Sequence, residues 1–461
     1  MKKEYLQIDK VVGPLIQISD VDDVFYGEVV DIVEISTGNI KKGKVIKIEE
    51  KNVIIQVFQN TAGLAAGNSI IKFTGEAFNL PMSLDLQGRI FNGIGEPIDN
   101  GSDIFSLVEA NINGRPINPM SREYPRNFIQ TGISSIDTLA TLIRGQKLPI
   151  FSGNGLPHNE LAAQIVRQAR LGDNADEEFG VVFAAIGVKH DDEKFFRKSF
   201  DEANVMDRVV MFVNYADDPI AERITTPRCA LTAAEYLAFE KHMHILVVMT
   251  DITSYCEALR EISSAREEVP SRKGYPGYMY SDLASLYERA GMLKDQVGSI
   301  TFLPILTMPN DDITHPIPDL TGYITEGQVV LDRSLHQKGI YPPIIVLPSL
   351  SRLMKDGIGE GYTRADHPQV ANQLFASYAR VQEVKALASV IGEDELTEID
   401  QKYMAFGRAF ETGFVAQKFD ENRVMEATLD IGWRLLGMLP KEELTRLDDI
   451  ILNKYYKATT E

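Results

Sequence analysis

The chain has 461 residues, enough for about three domains, and carries 47 Lys and Arg against 66 Asp and Glu, a formal net charge of -19 at pH 7. That acidity argues against a nucleic-acid partner, which requires a basic surface, and against direct docking on anionic lipid; its role is solubility. Two cysteines, Cys229 and Cys256, supply neither a disulfide framework nor a zinc pattern, so a reducing compartment is expected and no metal site is.

The start, Met1-Lys2-Lys3-Glu4-Tyr5, passes into alternating polar and apolar residues and lacks the apolar core of a signal peptide. From residue 4 to about 75 short β-branched runs follow one another, among them Val45-Ile46-Lys47-Ile48 and Val53-Ile54-Ile55-Gln56-Val57-Phe58. Gly13-Pro14, Gly38-Asn39 and Gly67-Asn68 separate them as turns. Strands so closely spaced predict a small closed β-barrel over residues 1–75. A Gly- and Pro-rich stretch, residues 88–99, reads as a transition between domains.

Apolar, strand-like runs then alternate with helical patterns, at residues 148–151, 180–186, 209–213, 245–250, 299–307 and 344–347. Near-continuous apolar strands separated by helices predict a parallel sheet covered on both faces, an α/β domain over residues 76–355. From about 365 the pattern turns helical, with apolar residues at three- and four-residue spacing in 373–387, and a helical domain is expected over 356–461. The apolar runs at 245–249 and 344–347 are far shorter than the ~20 residues of a membrane helix, so membrane contact is expected only through partners.

After the run 148–151 come Ser152-Gly153-Asn154-Gly155-Leu156-Pro157-His158-Asn159 and then a helical pattern from Glu160. Strand, glycine-rich turn and helix is the setting of a phosphate-binding loop, yet the signature G-x-x-x-x-G-K-[ST] fails at each fixed position. Ser152 replaces the first Gly, Pro157 the second, His158 the Lys and Asn159 the hydroxyl that would coordinate magnesium. Pro157 has no N–H to offer a phosphate oxygen, and a histidine near its ordinary pKa carries little charge at pH 7. Taken alone, the stretch reads as an ordinary strand-to-helix turn.

Other segments change that reading. Thr131-Gly132-Ile133-Ser134-Ser135-Ile136-Asp137 and Arg144-Gly145-Gln146-Lys147-Leu148-Pro149-Ile150 precede the loop. Ser263-Ser264-Ala265-Arg266-Glu267-Glu268-Val269-Pro270, Gly274-Tyr275-Pro276-Gly277-Tyr278 and Thr307-Met308-Pro309-Asn310-Asp311-Asp312 follow it. Beyond them come His315-Pro316-Ile317-Pro318-Asp319-Leu320-Thr321-Gly322-Tyr323-Ile324 and Leu347-Pro348-Ser349-Leu350-Ser351-Arg352. Together with the altered loop, these resemble the non-catalytic B subunit of V/A-type rotary ATPases, within the wider family of ATP synthase alpha and beta chains. They span essentially the whole chain in order. One departure is Ile345, where the family's short signature usually has Asp or Asn. The short extent beyond the matched core resembles prokaryotic forms.

The resemblance implies a barrel, a nucleotide-binding-like α/β domain with a degenerate loop (Gly153, Gly155, Pro157, His158, Asn159) and a helical end. It implies that Arg352 is an arginine finger, reaching in trans to ATP held with magnesium mainly by a catalytic A subunit. Such a guanidinium stabilises charge on the transferred phosphoryl group. Ser351 and Tyr323 are implied at the same interface, and Asp251, ending the run 245–250, is a residual magnesium-linked aspartate or a holder of local hydrogen bonds. No cofactor of the chain's own is expected. Three copies would alternate with three A subunits around a central shaft, with a peripheral stalk, at the cytoplasmic side of a membrane and peripheral to it. Where catalytic relatives place a glutamate to polarise water, this chain reads Gly187-Val188-Lys189; Asp191, Asp192 and Glu193 nearby read as a charged helix start. Glu257, Arg260, Glu261 and Arg266 suit an interface or ion pairs equally, Trp433 suits packing, and His315 suits a turn. A scaffold without catalytic contribution is the alternative; a self-sufficient ATPase lacks its Gly-Lys-Thr.

Overall fold

The computed structural model describes residues 3–5, 8–65, 67–172 and 177–458; Met1 and Lys2, part of the polar start, lie outside the described residues. The backbone gathers into two units, Met1–Ile117 with Gly180–Arg289 and Asn118–Phe179 with Ala290–Glu461.

The first unit opens with seven antiparallel strands, Lys3–Tyr5, Lys10–Val12, Leu15–Ile18, Glu28–Glu34, Ile40–Glu49, Asn52–Val57 and Ser69–Ala77. Their hydrogen-bonded order is first, seventh, fourth, fifth, sixth, third, second. Alternation decides what lies inside: Val30 and Ile32 are fully buried while Asp31 between them reaches partly to water. With Ile16, Ile18, Val45, Val53, Ile55 and Ile71 they form one core, each side chain contributing about 1.5–3 kcal/mol by burial. Gly38 adopts a φ of +74° where the fourth strand turns into the fifth, its amide donating to Glu34 O at 2.8 Å.

The same unit carries Phe179–Val188 between His244–Thr250 and Val209–Tyr215, with Ile90–Asn92 outside the latter. Val181 pairs with Val209 and Met211 with Ile90, both in parallel register. These strands are buried on both faces, which is why their sequences run apolar without alternation. Phe196 and Phe200 of the His190–Glu202 helix pack on Phe183, with ring centroids 4.7 and 5.3 Å apart. The stretch 88–99 is thus more than the transition its Gly and Pro suggest, because Ile90–Asn92 is a paired strand.

In the second unit the order is Ser299–Met308, Ile150–Gly153, Gly327–Leu331, Ile344–Ser351. The first three are parallel, but Ile344–Ser351 runs antiparallel to Gly327–Leu331, with Ile345 opposite Val330. This corrects the all-parallel expectation: the short connection through the Arg333–Gln337 helix returns the chain along the same edge, and a parallel crossover needs a longer one. The strand before the loop also runs further than its apolar run, through Ser152 and Gly153.

Helices His367–Ile391, Glu398–Ala409, Met425–Leu436 and Asp449–Tyr455 follow in this unit and pack around Leu374, Val381, Phe406, Phe410, Leu429 and Leu436. Trp433 donates its indole N–H to Asp366 Oδ2 at 2.6 Å and stacks on Tyr455. Among the described residues no helix is long and apolar enough to cross a membrane.

Candidate nucleotide-interface site

The loop between the Ile150–Gly153 strand and the His158–Gln168 helix has lost part of the donor set of a phosphate cradle. A cradle aims successive amides at an anion. Here the amide of Leu156 donates to Gly153 O at 3.1 Å and that of His158 to Leu156 O at 2.8 Å, and Pro157 has none. His158 and Asn159 open the helix; His158 Nδ1 lies 3.1 Å from the buried Ser152 hydroxyl. Gly155 is exposed, with a φ of +77°.

A second pair of residues occupies the loop's shoulder. Arg333 grips Asp311 with two hydrogen bonds, Nε to Oδ2 at 2.7 Å and Nη2 to Oδ1 at 2.9 Å, and Nη2 also donates to Asn154 O at 2.9 Å. A Cβ at Gly153 would stand 2.0 Å from Asp311 Oδ1. The carboxylate therefore lies directly against the loop glycine, and the Arg333 guanidinium holds its pKa below the usual carboxylate range. The Asp311–Arg333 pair fills the space against Gly153, Pro157 has no N–H, and no lysine or hydroxyl stands at 158 and 159, so these residues do not fit a magnesium-bound triphosphate. Asp311 sits in a segment that carries the family resemblance, but no role for it is legible there, because its partner lies in a later element.

Arg352 immediately follows the Ile344–Ser351 strand and is exposed. Its amide donates to Glu326 O at 2.9 Å, and Nη1 reaches Thr325 O at 3.4 Å. Among the described residues its guanidinium has no carboxylate partner. The backbone beneath it is locked. Buried Gln146 donates from Nε2 to Glu326 O at 3.0 Å and to Ser351 Oγ at 2.8 Å, while its Oε1 accepts the Ile143 amide at 2.9 Å. Lys147 pairs with Glu326 at 2.7 Å, and its amide donates to the same carboxylate at 2.8 Å. Ser351 thus faces Gln146, and Tyr323, on the Pro316–Ile324 helix, is 74% exposed. Gln146 and Glu326 went unassigned in the sequence, since their contacts join distant segments.

Other residues singled out in the sequence have local partners. In the first unit Asp251 caps the Ile252–Ala265 helix, accepting the Thr253 amide at 2.8 Å. Gly187, at a φ of +66°, forms a bulge that leaves Val188 buried. Asp192 then accepts the Lys189 amide at 3.3 Å, and Asp191 approaches Lys194 at 3.8 Å, both at a helix start. Glu257 pairs with Arg260 and accepts the Tyr275 hydroxyl; Glu261 is exposed. In the second unit His315 caps the Pro316–Ile324 helix through Nδ1, which accepts the Ile317 amide at 3.4 Å. Ile345 packs, partly buried, against the helical core.

Known proteins agree with this architecture segment by segment. Residues 8–75 match the ATP synthase alpha/beta family beta-barrel domain, 132–351 that family's nucleotide-binding domain, and 356–456 the C-terminal domain of V and A type ATP synthase. Fold and matches together define a rotary ATP synthase alpha/beta-type chain. Over 459 residues it is 65% identical to V-type ATP synthase beta chain 2 of Clostridium tetani, covering 99% of this chain and 100% of that one. It is 61% identical to the V-type ATP synthase beta chain of Halothermothrix orenii and 57% to that of Thermotoga neapolitana, each match covering 100% of this chain and 99% of the relative. The ATP synthase subunit NeqB of Nanoarcheaum equitans, a solved structure, superposes with a TM-score of 0.74 at 41% identity, covering 93% of this chain and 100% of that one. The chain belongs to the V-type ATP synthase beta-chain family, the B subunits of rotary ATPases.

Proposed function

We propose that this chain is the non-catalytic B subunit of a rotary, ion-translocating ATPase, in which three copies alternate with three catalytic A subunits. In this reading ATP or ADP with magnesium is held mainly by the A subunit, and Arg352 enters that site across the A–B interface. The chain joins a central shaft and a peripheral stalk, lies on the cytoplasmic side, and meets the membrane only through the complex. One observation carries the reading: the exposed Arg352 guanidinium has no counter-charge among the described residues, yet the Arg352 amide donates to Glu326 O, and Glu326 in turn accepts from Gln146 and Lys147, which fixes the backbone that presents it. A guanidinium held ready in this way suits transition-state charge on a nucleotide bound by another chain. The chain's own loop, with two amides turned inward and Asp311 against Gly153, supports the non-catalytic half of the assignment.

The direct test compares ATP hydrolysis by the isolated chain, by the isolated catalytic partner, and by their mixture. Turnover is expected only in the mixture. Hydrolysis by the isolated chain would overturn the assignment.

A further inference from the structure

The first unit contains a cavity of about 510 Å³ between barrel strands and helices. Three cationic side chains line it: Lys44 from the Ile40–Glu49 strand, Arg228 from the Ile220–Glu235 helix and Arg266 from the end of the Ile252–Ala265 helix. Tyr26, largely exposed, stands at its mouth, and half-buried Tyr278 lines it further in.

The charges are not balanced. Arg228 is matched by Asp282 at 2.7 Å, and that carboxylate also accepts the Tyr255 hydroxyl. Arg266 reaches Gln56 Oε1 at 3.4 Å and Glu268 only at 3.6 Å, and its buried Nε has no partner. The Lys44 side chain has no hydrogen-bond or ion-pair partner among the described residues. Burial, and then the Arg228 and Arg266 charges, push the Lys44 amine down to about 8. The Asp282 charge opposes that shift only in part, and the lining's two carboxylates, Asp282 and Glu268, leave one of its three cations uncompensated, a cost that an anion in the cavity would offset.

We propose that this cavity binds a small phosphate-bearing anion, held by Lys44 and Arg266. The chemistry follows from the lining: a lysine offers a point charge, and a guanidinium a planar fork that matches phosphate oxygens. The volume lies within the range of small-molecule sites, leaving room for an organic group beside the tyrosine rings. The proposal is independent of Arg352, which lies in the other unit.

The test is calorimetric titration of the full-length chain with pyrophosphate, alongside its thermal unfolding with and without that ligand. Saturable binding and a raised Tm are expected. Lys44→Met and Arg266→Gln should each weaken binding by at least about tenfold, Lys44→Arg should retain it, and the exposed Lys198→Ala, which is outside the cavity lining, should leave it unchanged. Without ligand, Lys44→Met should keep or raise Tm, since it removes a half-buried charge with no hydrogen-bond or ion-pair partner among the described residues; this also shows that the variant folds. Absence of saturable pyrophosphate binding, or binding untouched by Lys44→Met, would overturn the proposal.

Discussion

Replacing Gln146 by alanine removes the hub beneath Arg352. The amide group bonds Glu326 O at 3.0 Å, Ser351 Oγ at 2.8 Å and the Ile143 amide at 2.9 Å, all from a fully buried position. The Ile143 N–H is left in the interior without its acceptor, which costs about 1–3 kcal/mol, and each other lost bond costs about 0.5–1.5 kcal/mol. The sum is a destabilisation of about 3 kcal/mol, read as a shift in the urea midpoint at unchanged slope. Function should suffer as well, because Glu326 O accepts the Arg352 amide and Ser351 precedes it. A displacement of about 1 Å at a reacting group costs about 10²-fold in rate, so turnover of the complex reconstituted with the catalytic partner should fall by that order. Gln146→Glu keeps the shape and tests the bonds rather than the volume. Gln146→Ala stable to within about 0.5 kcal/mol, with unimpaired turnover, would refute the reasoning.

Three further outcomes are expected. Arg289 is fully buried and bonds Glu235 twice, at 2.6 Å each, together with Ile112 O at 2.9 Å; Arg289→Met strands the Glu235 charge and should cost about 3–5 kcal/mol in urea unfolding, with Glu235→Leu restoring most of it. His367 donates from Nε2 to Thr138 O and accepts the Thr363 hydroxyl at Nδ1, each at 3.0 Å, and burial pushes its pKa from 6.5 down to about 4. Unfolding gains a proton between those values, so the contribution is complete above pH 6.5 and fades as pH falls towards 4. It is worth about 3 kcal/mol, a pH dependence that His367→Gln should abolish and an NMR titration of the ring should report directly. Rebuilding the loop as Pro157→Gly, His158→Lys and Asn159→Thr should not yield tight ATP binding by calorimetry while Asp311 lies against Gly153. Adding Asp311→Ala should then improve affinity by at least about tenfold.

Much of the fold was legible because burial on both faces writes itself as unbroken apolar runs: each run from 180–186 to 344–347 falls within an observed strand, and 148–151 overlaps the start of Ile150–Gly153. Gly327–Leu331 escaped notice because five residues between polar neighbours carry no distinctive period, and without it the direction of Ile344–Ser351 could not be seen. The altered loop could be read position by position, since the failing residues are contiguous. The contacts that explain it could not. Asp311 meets Arg333, Gln146 meets Ser351, and Lys44 shares a cavity with Arg228 and Arg266, in each case through folding that brings separate elements together.

The account is tested most directly by the ATP turnover of an assembled complex carrying Arg352→Ala. Assembly should be intact and hydrolysis lower by about 10³–10⁵-fold, and Arg352→Lys should not restore it, because an ammonium lacks the planar fork. Turnover near that of the unaltered complex in either variant would contradict the account.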